Sequence, residues 1–134
     1  MKGNTITVSA IIPAEPAVIY KAWMSSKGHS LMTGSGAKIT AKVGGKYTAW
    51  DGYISGKTLE LEPGERIVQS WRSTDFAKDA EDSRLEVSLS PARGGTKVTL
   101  THSDLPAGSS AEYRKGWLDF YFTPMKRYFS SSGA

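Results

Sequence analysis

The residues best suited to chemistry are two histidines, a scatter of carboxylates, and a run of tyrosines and tryptophans near the C-terminus. His102 shares strand parity with Val98 and Leu100, so it is expected to point inward. There an imidazole can serve as a general base, touch a ligand, or simply bond to a nearby carbonyl. His29 stands in a Ser/Gly-rich stretch with no partner in view, and the two histidines lack the HExxH spacing of a metal site. Glu60 and Glu62 alternate with Leu59 and Leu61 and are expected in solvent, Asp79, Glu81 and Asp82 in a polar loop, and Asp51 in a turn. No two are placed to share a proton as catalytic carboxylates do. Gly44-Gly45 and Gly94-Gly95 fall between strands, whereas a phosphate loop would precede a helix. There is no GxSxG motif, and with no cysteine the chain has neither disulfides nor thiolate chemistry. His102 and Tyr121 are the nearest candidates for catalysis, but a binding role is the stronger expectation; no cofactor and no metal are expected.

The most informative segment is the last. Ser109 and Glu112 have capping-box spacing, and Tyr113, Trp117, Phe120, Tyr121, Pro124 and Tyr128 follow at helical period. One wide apolar stripe on a long helix results, with a kink expected at Pro124, which has no N–H to give to Phe120. Residues 130–134 read as a frayed tail.

The elements before it must supply what that stripe packs against. Thr5 to Ile11 alternates as a half-buried strand. A helix follows from Pro16, with Val18, Ile19, Ala22 and Trp23 on one face and Gly28 as its stop; Ser30 to Thr33 form a further short turn. Strands are expected over Ala37–Val43, Lys46–Trp50, Tyr53–Leu61, Arg66–Ser73 and on either side of Gly94-Gly95, with turns at Gly44-Gly45, Asp51-Gly52 and Pro63-Gly64. Strands joined by hairpins are antiparallel, and the aromatic helix is the one element wide enough to cover their apolar face. Ile67, Gln69 and Trp71 share parity, so Gln69 is expected inside, where its amide needs partners.

With 134 residues, 39% hydrophobic and 22% charged, the chain reads as one globular domain over 1–134. Its net charge of +4 comes from basic residues dispersed along the chain, which argues against a nucleic-acid groove. No apolar run is long enough for a signal peptide or a membrane span, so a cytoplasmic location is expected.

This order resembles the helix-grip fold of the START/SRPBCC (Bet v-like) superfamily. Within it the chain resembles the C-terminal domain of the activators of the heat-shock-protein ATPase. The resemblance runs through Pro13 to Trp23, Gly44-Gly45-Lys46-Tyr47, Asp51 to Gly56, Arg66 to Arg72, Gly95 to Leu100, and Gly116-Trp117 followed by Tyr121-Phe122. It implies an α+β fold, with a curved antiparallel sheet of about six to seven strands around the C-terminal helix and one or two short helices after the first strand. It also implies an underfilled core that can take a small apolar or amphipathic molecule. The expected lining is Trp23, Leu31 and Met32 from the short helices, Gln69, Trp71 and His102 from the strands, and Trp117, Phe120, Tyr121 and Met125 from the last helix. A heat-shock chaperone is the partner implied by the family, a cyclase- or dehydratase-like enzyme the further alternative, and a monomer or weak homodimer the expected assembly.

Overall fold

The computed structural model describes residues 4–106 and 108–132. Seven strands form one sheet: β1 (Asn4–Ile12), β2 (Lys38–Ile39), β3 (Lys46–Ala49), β4 (Ile54–Glu62), β5 (Arg66–Ser73), β6 (Ser83–Ala92) and β7 (Gly95–Leu105). Their spatial order is β1-β7-β6-β5-β4-β3-β2, and every neighbouring pair is antiparallel. Helices α1 (Pro16–Trp23) and α2 (Ser26–Thr33) fill the connection from β1 to β2. One continuous helical rod closes the chain, built from α3 (Ser110–Trp117), a π-helical turn (Leu118–Phe122) and α4 (Thr123–Ser132).

The alternation decides which face is covered. Ile6, Val8 and Ile12 of β1, Leu85, Val87 and Leu89 of β6, and Val98, Leu100 and His102 of β7 are buried. The polar residues between them face out, as period-2 strands require. The helical rod lies across this face, with Trp117 against Trp71 and His102 at ring centroid distances of 5.8 and 5.6 Å. Arg114 Nη1 also donates to the Thr7 carbonyl at 3.1 Å, tying α3 to β1.

Several local expectations are corrected. β2 shrinks to two residues because the chain turns at Lys42–Gly44, leaving Val43 exposed rather than inward. A register shift between Thr58 and Glu60 inserts one residue into β4 and turns Leu59 outward. Gly28 does not stop α1; it lies inside α2, where a Cβ would stand 2.7 Å from the Ala22 Cα, so its lack of a side chain lets the two helices touch. The Ser109 side chain caps nothing: its hydroxyl donates to the Pro106 carbonyl at 2.6 Å. Of the tail over residues 130–134, α4 takes in 130–132, and 133–134 lie outside the described residues.

The break expected at Pro124 takes a specific form. Proline cannot supply the i→i−4 bond, and the helix responds in the preceding turn by widening to π geometry, with the Thr123 N–H reaching back to the Leu118 carbonyl. The widened turn holds one extra residue, so every side chain beyond it is rotated relative to the simple stripe. Tyr113, Trp117 and Tyr121 face the core before the bulge; Phe122, Met125 and Phe129 face it afterwards. Phe120 rolls outward to 56% exposure.

Candidate functional site

Two buried histidines anchor the interior, and neither is free to do chemistry. The Trp117 indole N–H donates to His102 Nδ1 at 3.0 Å, so the ring proton sits on Nε2, which meets Ser83 Oγ at 2.8 Å. Ser83 in turn donates to the Trp71 carbonyl at 2.6 Å. Both ring nitrogens are thus engaged, and burial holds the His102 pKa down to about 3, keeping the ring neutral. His29, expected in a loop without a partner, is instead a buried residue of α2. Its Nδ1–H donates to the Trp23 carbonyl at 3.0 Å, and its Nε2 accepts from the Tyr121 hydroxyl at 2.7 Å. Burial lowers the His29 pKa, against a smaller opposing effect from its bond to the Trp23 carbonyl, and burial raises that of Tyr121.

Gln69 is buried as its parity required, and it is satisfied within the protein. Its Oε1 accepts from the Trp23 indole at 3.3 Å, and its Nε2 donates to Thr58 Oγ1 at 3.3 Å.

Beside this filled interior lies a cavity of about 340 Å³, open on one side, between the N-terminal half of the helical rod and the β3–β5 region of the sheet. Trp50, Tyr53, Ile54 and Trp71 form its sheet-side wall; Glu112, Tyr113, Gly116, Trp117, Phe120 and Tyr121 form its helix side. Of the residues expected to line a cavity, Trp71, Trp117, Phe120 and Tyr121 meet here. Trp23, Met32, Gln69, His102 and Met125 are buried but do not line it; His102 packs behind Trp71 and Trp117, and Trp23 behind Tyr121. Leu31 lies on the outer face of α2, 51% exposed.

The sheet-side wall owes its shape to an unusual turn. Trp50, Asp51 and Gly52, a short 3₁₀ turn between β3 and β4, all have positive φ, at 52°, 54° and 93°. A tryptophan in the left-handed region is strained and needs surrounding contacts to hold it. Asp51 provides them: its carboxylate accepts from Ser35 Oγ and the Gly36 N–H, both at 3.1 Å, and its own N–H donates to the Gly36 carbonyl at 2.9 Å. The turn presents the Trp50 ring to Phe120 at 5.5 Å and to Tyr121 at 6.5 Å. The Trp50 indole N–H is buried and has no hydrogen-bond partner among the described residues.

Trp50 and Tyr53 were missed in the sequence, although each flanks the Asp51-Gly52 turn signal. Phe76 was also missed, hidden in a loop that reads as polar; it packs on Trp71 and Tyr113 at 5.9 and 6.1 Å. Near the mouth, Ser73 Oγ and the Tyr113 hydroxyl meet at 2.9 Å, and Tyr53 donates to the Asp75 carboxylate. Burial and that carboxylate together push the Tyr53 pKa up to about 12.

An antiparallel sheet gripping a long C-terminal helix, with an aromatic-walled cavity on one flank, places the chain in the helix-grip class of α+β proteins. Residues 13–130 match the family of Activator of Hsp90 ATPase homolog 1-like proteins, and the chain belongs to that family. Its relatives include the human Activator of 90 kDa heat shock protein ATPase homolog 1, 25% identical over 124 residues, which are 92% of this chain and 36% of the human protein. A Dictyostelium discoideum homolog is 25% identical over 96% of this chain and 34% of its own length. The chain therefore spans little more than a third of these relatives. Among solved structures, an HSP90 activator from Plasmodium falciparum superposes with a TM-score of 0.84 at 24% identity, covering 96% of this chain and 97% of that one. The Aha1 dimer from Colwellia psychrerythraea does so at 0.72 and 20% identity, covering 87% and 90%. Among the described residues no helix is long and apolar enough to cross a membrane.

Proposed function

We propose that this domain is a binding module that holds a small hydrophobic or amphipathic molecule in the cavity between the sheet and α3. The reading is carried by the cavity: about 340 Å³, within the usual range for small-molecule sites, and walled almost wholly by aromatic rings. The locked states of His102 and His29 weigh against an enzyme, since neither offers a free nitrogen to a bound molecule. The test is native mass spectrometry of the purified chain together with thermal shifts against a panel of lipids and aromatic compounds. Ligand retention or a clear shift is expected; no response at saturating concentrations defeats the proposal.

A second reading comes from the family. Several relatives are named as activators of the 90 kDa heat-shock protein ATPase, so the domain would contact such a chaperone in the cytoplasm, as a monomer or weak homodimer. Measuring that ATPase rate with and without this chain decides it: stimulation supports the contact, and an unchanged rate removes it.

A further inference from the structure

The charge lining the cavity narrows the ligand class. Seven aromatic side chains, Trp50, Tyr53, Trp71, Tyr113, Trp117, Phe120 and Tyr121, surround one small volume, and several meet edge-to-face, as Trp50–Phe120 does at 69° and Trp71–Tyr113 at 84°. A ring face carries negative charge density, so a cation seated among these rings is attracted to those whose faces front the cavity. Among the described residues, the one charged side chain in the wall is the Glu112 carboxylate, and no lysine or arginine lines the cavity. A second carboxylate, Asp75, stands at the rim through its bond to Tyr53. The arginine on this side, Arg72, is turned to other partners: Asp82 at 2.7 Å, the Ala80 and Ala77 carbonyls, and the face of Phe76.

An anionic amphiphile such as a fatty acid would place its carboxylate near Glu112 with no cation to receive it. A neutral molecule would use the apolar walls but gain nothing from the Glu112 charge. A cation gains from both the ring faces and Glu112. We propose that the cavity selects hydrophobic organic cations, an apolar body bearing a tertiary or quaternary ammonium group, over neutral and anionic molecules of the same shape. The inference rests on the cavity-binding reading above and adds the charge of the ligand to it.

The test is calorimetric titration of the full chain with three probes of similar size. These are benzyltrimethylammonium, its uncharged carbon isostere neopentylbenzene, and the anion 4-phenylbutyrate. The cation is expected to bind about tenfold more tightly than its isostere, with the anion weakest. Glu112→Gln should weaken the cation about threefold, as suits an exposed carboxylate, and leave the isostere unchanged. Gly116→Leu, which places a side chain in the cavity, should abolish binding of the cation and the isostere; unchanged cation binding in that variant would locate it elsewhere and overturn the inference. Binding of the isostere or the anion at least as tight as the cation overturns the charge preference and leaves the cavity reading standing. Failure of all three probes overturns both.

Discussion

Gly116 stands one residue from the C-terminal end of α3, facing the cavity, at a position where glycine has no conformational reason to be. Its φ is not positive, and a Cβ built there meets one atom within 4 Å, the Phe120 Cδ2 at 3.9 Å, an ordinary contact. In a helix, Gly→Ala stabilises by up to about 1 kcal/mol through backbone entropy alone. Unfolding entropy of about 2 cal/mol/K per residue makes that about 3–4 °C in Tm for a chain of this length. Gly116→Ala is therefore expected to raise Tm by that amount while projecting a methyl group into the cavity and weakening any ligand held there. Thermal melts of both chains without ligand, followed by titration of a cavity ligand into each, measure the two halves separately. A Tm that stays level or falls would refute the reasoning, because it would mean that the space beside Gly116 is not open. A Tm gain with unaltered ligand affinity would place the ligand away from this wall.

The buried histidines make stability depend on pH with a definite sign. Both have folded pKa values below the ordinary 6.5, so the unfolded chain takes up protons first as pH falls, and stability declines from about pH 6.5 downward. With His102 at about 3, its share of the loss reaches about 2 kcal/mol at pH 5, and His29 adds in the same direction. Urea midpoints at pH 8, 6.5 and 5 check this, and a flat profile contradicts it. The π turn predicts a contrast between two phenylalanines two residues apart. Phe122→Ala should cost about 3–5 kcal/mol in denaturant melts and Phe120→Ala less than about 1 kcal/mol, an order that an unbroken α-helical stripe would reverse.

Much of the fold was legible because strand alternation is a strict code. Ile67, Gln69 and Trp71 fell on one face by parity, and so did Val98, Leu100 and His102. The failures have physical causes. The segment from Phe120 to Phe122 is aromatic at all three positions, so the apolar pattern fits both an α-helix and a helix with one extra residue. Pro124 signalled a break but not its form. Asp51-Gly52 marked a turn, yet only the tertiary clamp from Asp51 to Ser35 and Gly36 places a tryptophan at positive φ and builds one wall of the cavity. His29 meets Tyr121 across 92 positions of sequence, and no local pattern encodes a contact at that range. The residues that the sequence assigns to a cavity divide for the same reason: parity and helical period say which way a side chain points, but packing volume says whether anything is left empty beside it.

The hydrogen bond from the last helix to the first strand has a consequence for self-association. A sheet that does not close has two rims, and each could recruit a strand from another molecule. At one rim β2 offers only Lys38 and Ile39, too short a stretch to template much pairing. At the other, the Arg114 guanidinium occupies the Thr7 carbonyl, so an incoming strand would have to evict a charged side chain to pair at that position.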